Sequence, residues 1–206
     1  MNFRRNYRAI LRSGLNKKNR DRFHNKNLTI ISQNCVGGVI LHELGLRFNT
    51  PTVNLWFSAE DFIKILERPR YYFNHDIIEV ESKMGGAYPV GLIDDVRVYF
   101  MHYKSFLKAK AKWKERVKRI NWDNLYIIMV EGEGCTDEIL KRFDALDYKH
   151  KVIFTAKSRP DIKSSYYIPG SEVSENAVMD LCQYKSKFTG KRWLDDFDYV
   201  DFLNQR

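Results

Sequence analysis

The chain has little cysteine: Cys35, Cys135 and Cys182 are the only three in 206 residues, widely and irregularly spaced. Such a set builds neither a disulfide framework nor a zinc-type pair, and it fits a reducing compartment, so a cytoplasmic protein is expected. Long apolar runs are missing too. No stretch approaches the about 20 consecutive apolar residues of a membrane-spanning helix. The opening MNFRRNYRAILRSGLNKKNRDRF lacks the apolar core of a secretory signal. The nucleotide-binding spacings GxGxxG and GxxxxGK(S/T) do not occur. His24, His75 and His150 have no nucleophile or metal-type partner in the sequence, so no metal is expected.

What is present describes a folded protein. With 44% hydrophobic and 14% aromatic residues, intrinsic disorder is excluded. The length suits one substantial core or two small subdomains. The formal charge of +9 would suggest a nucleic acid or a membrane as partner. Its distribution matters more than its total. Residues 1–26 hold nine Lys/Arg against Asp21, and residues 103–120 hold eight against Glu115, so the remaining residues carry −6. A mildly acidic body with two basic segments is not a general nucleic-acid binder. No aromatic RNA-binding platform occurs at a recognised spacing either, and no nucleic-acid partner is expected.

The order of elements predicts an α/β fold: two Rossmann-like halves with parallel strands, a β-hairpin inserted between them, and a three-layer α/β/α arrangement. Residues 1–26 form a basic arm, either solvated or a short amphipathic helix weakly attracted to anionic lipid, broken by Gly14 and Asn16-Lys17-Lys18-Asn19. The first α/β subdomain, 27–70, reads as a strand at Leu28–Ser32 and a helix from about Val39 to Leu46. A strand at Thr52–Phe57 and a helix at Ala59–Glu67, capped by Ser58 and closed by Pro69, complete it. The insertion, 71–94, pairs Asp76–Glu81 with Tyr88–Ile93 around a Lys83–Gly86 turn. The second subdomain, 95–206, alternates strand Val96–Phe100, helix Lys104–Ile120, strand Leu125–Val130, helix Asp137–Leu146 and strand Lys151–Thr155. A strand at Ser165–Ile168, a helix at Val173–Tyr184 and a docked aromatic tail follow.

In open parallel sheets, ligands bind beyond the carboxyl ends of the strands. The turn Ser32-Gln33-Asn34-Cys35-Val36-Gly37-Gly38 follows the first strand and precedes a helix. A helix N-terminus favours an anion and a thiolate, so Cys35 is the candidate nucleophile, with Ser32, Asn34, Gly37 and Gly38 shaping a pocket. The alternative is a structural cysteine under a tight turn. His102, beyond another strand, is the better acid/base. His42 lies roughly 10 Å further along the helix by its rise. Asn54 and Thr155 border the same edge. Arg116 and Arg119, one turn apart, are candidate phosphate ligands on a helix whose basic face otherwise reads as solvated. Asp94-Asp95 cap a turn away from this edge.

Several of these segments resemble one family. Ile31–Gly38, His42–Leu55, Tyr88–Leu92, His102-Tyr103, Lys112–Lys114, Arg119–Asn121, Phe154-Thr155 and Phe197–Val200 together resemble the bacterial domain-of-unknown-function family nineteen-nineteen. Members are often labelled exopolysaccharide biosynthesis proteins. The resemblance implies an α/β fold of two subdomains and a setting in capsule or exopolysaccharide synthesis, with no established reaction. A looser similarity, through Asn34-Cys35 alone, is to coenzyme-A-binding capsule enzymes. Two functions are therefore expected. One is a transferase using an acyl-CoA or nucleotide-sugar donor. The other is a non-catalytic protein of the same pathway, docking a phosphate-bearing small molecule, a lipid-linked glycan or the inner membrane face through its basic segments.

Overall fold

The computed structural model describes residues 3–81, 88–186 and 188–205. Four parallel strands make the central sheet: β1 (Thr29–Ser32), β5 (Leu125–Val130), β6 (His150–Thr155) and β7 (Ser165–Tyr167), in the order β1-β5-β6-β7. Both faces are covered, which explains why Leu125–Val130 is continuously apolar. Successive residues of β5 serve opposite cores. Ile127 and Met129 join one with α3 (Ala59–Glu67), α5 (Phe106–Val117) and α6 (Asp137–Ala145). Tyr126, Ile128 and Val130 join the other with α2 (Val36–Glu43) and the C-terminal α7 (Tyr199–Asn204). The α/β class and its three layers follow from this alternation.

Local chemistry sets the helix starts. Ser58 accepts from the Asp61 amide (3.1 Å) at α3, and Thr136 from Ile139 (3.3 Å) at α6. Pro69 does not merely close α3; it opens a further helix, α4 (Pro69–Asn74), at the position where a missing amide costs nothing.

The inserted sheet is antiparallel and larger than a hairpin. Its strands are β2 (Ile78–Val80), β3 (Val90–Ile93) and β4 (Val96–Tyr99), in that order. The Lys83–Gly86 turn lies outside the described residues. Val96–Phe100, expected as a parallel strand of the second half, is therefore β4 of this sheet. Asp94, at φ 54°, reverses the chain between β3 and β4 within two residues, and only antiparallel strands can be joined so tightly.

Three further expectations need correction. Thr52–Phe57 is not a strand: Asn54 at φ 63° breaks the extended run, and only Trp56 bridges to Tyr99. Val173–Tyr184 is not a helix. It forms a small hairpin, β8 (Glu172–Ser174) with β9 (Ala177–Val178), because Ser174-Glu175-Asn176 favours a turn. The first helix, α1 (Phe3–Arg22), runs unbroken through Gly14.

This helix is no free arm, since Arg12 on it is buried (5% exposed) and anchors it to the body. The Arg12 guanidinium bonds Glu43 of α2 through both Nε (2.8 Å) and Nη2, and also reaches Asp195. Arg192 adds a second cation to Glu43 at 2.9 Å.

Candidate functional site

The carboxyl edge of the sheet has the topology expected of a site. From adjacent strands β1 and β5, helix α2 departs to one face and α6 to the other, so the two loops diverge. The polar groups there are turned inwards. Gln33, 4% exposed, accepts from the Val130 amide (3.0 Å) and donates to the Phe57 carbonyl (3.3 Å), bridging the divergence. Glu131, 3% exposed, accepts from Ala156 (2.7 Å), and its carbonyl receives the Val178 amide of β9 (3.0 Å). The Thr155 hydroxyl donates to Lys157 O (2.8 Å) and holds a turn.

The Asn-Cys-Val-Gly-Gly turn also satisfies itself. Asn34 Oδ1 accepts from the Val36 amide (3.1 Å) and Ser32 Oγ from the Gly37 amide (3.2 Å). Two of the donors expected to meet a ligand are thus already engaged. Gly37 is required by packing: a Cβ there would lie 2.7 Å from Ser32 Cβ and 2.9 Å from an Ile30 methyl. Gly38 faces Val53, whose methyl would be 3.3 Å from its Cβ.

Cys35 sits at the N-cap of α2 without a side-chain capping bond. Burial, with the Asp180 carboxylate, pushes its thiol up from the ordinary range, the reverse of the thiolate expected from a helix terminus. Cys182 is pushed up by burial and the same carboxylate. His42 is an exposed residue in the last turn of α2.

The remaining candidates gather elsewhere, around the loop leaving α2. His102 is exposed, and its amide donates to Asn54 O (3.3 Å). The next residue, Tyr103, donates its hydroxyl to Val53 O (3.4 Å) and accepts from Arg116 Nη1 (2.8 Å). The Arg116 guanidinium lies 5.2 Å from the Phe48 ring centre, and Arg119 donates to Phe48 O (3.4 Å) while also pairing with Glu115. Asn54, His102, Arg116 and Arg119 are thus drawn to one side of the α5 helix.

Arg116 is only 9% exposed, and its side chain has no carboxylate partner among the described residues. Tyr103 stands beside His102 by the strand-end rule, whereas Phe48, which completes the cluster, is not a candidate by spacing. Arg116 itself carried a signal, because it falls in register with Ala109, Trp113 and Ile120 on the buried stripe of α5.

The family model described as Domain of unknown function (DUF1919) matches residues 6–204. The chain belongs to that family. It is also 40% identical over 202 residues to an uncharacterized protein of Haemophilus influenzae (strain ATCC 51907 / DSM 11121 / KW20 / Rd), covering 94% of this chain and 96% of that protein. Among the described residues, no helix is long and apolar enough to cross a membrane. No group of three or more His, Cys, Asp or Glu among them could hold a metal ion.

Proposed function

We propose that the protein binds a phosphate-bearing glycan precursor, nucleotide-linked or lipid-linked, in the surface-polysaccharide setting that the resemblance implies. The phosphate would meet Arg116, with Arg119 and the His102-Tyr103 bend beside it. The observation carrying this reading is the buried Arg116 guanidinium, with one side-chain hydrogen bond and no carboxylate among the described residues. Its surroundings offset only part of the cost of burying a charge, the hydrogen bond to Tyr103 contributing about 1.5–3 kcal/mol. An aromatic face contributes about 0.5–2 kcal/mol and a helix C-terminus about 0.3–1 kcal/mol. Desolvating an ion costs several kcal/mol. An anion seated there would supply the difference, and a planar guanidinium matches the bidentate geometry of phosphate.

Two roles share this cluster. In an acyl or sugar-tailoring transferase it holds the donor, and in a non-catalytic member of the pathway it holds the whole ligand. The raised Cys35 thiol and the self-satisfied turn around it favour the second role. A thermal-melting screen with nucleotide sugars, acyl-CoAs and a short polyprenyl phosphate tests the reading. At a hundredfold excess over Kd, a ligand of the native state stabilises it by about 2.7 kcal/mol, or about 5–10 °C for a chain of this size. The gain should vanish in Arg116→Gln. A gain that survives this substitution, or no gain with any phosphate ligand, would overturn it.

A further inference from the structure

A cavity of about 570 Å³ opens at the opposite, amino edge of the parallel sheet, between the loops that lead into β5 and β6. Its lining includes Trp122, Asp123, Asp147, Tyr148, Lys149 and His150. The volume lies within the usual span of small-molecule sites, about 300–1,000 Å³.

The imidazole of His150 is the informative group. It is 8% exposed and stacks on the Tyr126 ring at 4.7 Å and 15°. Among the described residues, neither ring nitrogen has a hydrogen-bond partner. Its ring nitrogens are not among the buried unpartnered atoms, so they open to the cavity and are placed to bond what the cavity receives. Burial, reinforced by Lys149, holds this imidazole below its usual value, so at neutral pH it offers one donor and one acceptor.

The rest of the lining narrows the ligand class. Asp123, Asp147 and Lys149 form none of the ion pairs among the described residues, and together they carry −1. An anion such as phosphate would meet the Asp123 and Asp147 carboxylates. A cation would meet Lys149 directly, and Arg70 over the Trp122 ring at 4.3 Å. Tyr148 has its hydroxyl tied to Leu66 O (2.7 Å), which leaves its ring as an apolar wall. Carboxylate acceptors, a neutral imidazole and aromatic rings suit an uncharged molecule with several hydroxyls and C–H faces.

We infer that this cavity binds a neutral saccharide, its hydroxyls bonded by Asp123, Asp147 and His150 and its C–H face set against Trp122 and Tyr148. This site is separate from the Arg116 cluster and does not depend on it.

The test titrates the intact protein with maltose, cellobiose, lactose and N,N′-diacetylchitobiose, following the His150 ring resonances by NMR and binding by calorimetry. At least one disaccharide should shift those resonances saturably, with a Kd near about 1 mM. Binding should weaken about tenfold or more in Asp147→Asn, an exposed position at which the fold is kept, and in His150→Gln. Arg116→Gln should leave it unchanged, so failure here and failure of the phosphate reading are separable. The inference falls if no disaccharide moves the His150 signal, or if binding survives both substitutions. It also falls if spermidine or inorganic phosphate, run in parallel, occupies the cavity instead.

Discussion

Replacing Arg12 by alanine should destabilise this protein more than removing any exposed base on the same helix. Arg12 contacts Glu43 and Asp195 with its guanidinium almost fully enclosed, and Glu43 is only 4% exposed. Breaking a buried ion pair from one side typically costs 3–5 kcal/mol, because the surviving charge is left without its counterion. Here the loss is cushioned. Glu43 keeps Arg192 at 2.9 Å, and Asp195 keeps the Arg192 amide at 2.6 Å. The lower end, about 3 kcal/mol, is therefore expected. For a chain of this length it corresponds to a melting temperature lower by about 6–12 °C. Lys17→Ala provides the contrast: its pair with Asp21 is exposed on both sides and spans one helical turn. It should change stability by about 0.3–0.5 kcal/mol. Urea unfolding of both variants, at low and high salt, checks the argument, since a buried pair is screened far less than an exposed one. An Arg12→Ala protein within about 0.5 kcal/mol of wild type would mean that α1 is not anchored as described.

Two other outcomes follow from the same geometry. Gly37→Ala should cost about 1–3 kcal/mol from overpacking against Ser32 and Ile30. Gly14→Ala, whose Cβ would meet nothing within 4 Å in the middle of α1, should stabilise by about 0.5–1 kcal/mol; urea melts giving equal signs for the pair would contradict these roles. The second outcome concerns the thiols. Cys35 and Cys182 are raised above their ordinary values, and Cys135 is pushed to about 12, by burial first. A raised thiol stays protonated as pH climbs, so alkylation by iodoacetamide at pH 8 should be slower than for a free cysteine peptide. Faster labelling of Cys35 would restore it as a nucleophile.

Much of the fold was legible because its signals are local. Leu125–Val130 is apolar throughout, as a strand covered on both faces must be, and Ser58 and Thr136 announce their helices by capping. The errors arise where a distant or conformational fact decides. VRVYF reads as a strand in either sheet, and only the left-handed backbone at Asp94 assigns it to the antiparallel one. Val173, Ala177, Leu181 and Tyr184 imitate helical spacing, yet Val173 is 63% exposed on a hairpin. At the site, the glycines of the first turn suggested room for a ligand. The room is taken by Ser32 and Ile30 from the preceding strand, which a motif read along the chain cannot reveal.

The charge pattern shows the same dependence on the fold. On α5, Lys110 and Lys114 share Asp76, while Lys112 and, just past the helix end, Arg119 share Glu115. On α1, Arg12 is spent on Glu43 and Asp195, and Arg22 pairs with Asp198. Four of the 17 bases in residues 1–26 and 103–120 (Arg12, Arg22, Lys110 and Lys114) are therefore matched by acids of the body, and those four say little about partners. Paired surface charges are worth little individually and are screened by salt. A guanidinium that is largely buried and lacks a carboxylate among the described residues is different, because much of its desolvation precedes any ligand. That makes Arg116, one residue among 35 Lys and Arg, the most informative cation in the chain.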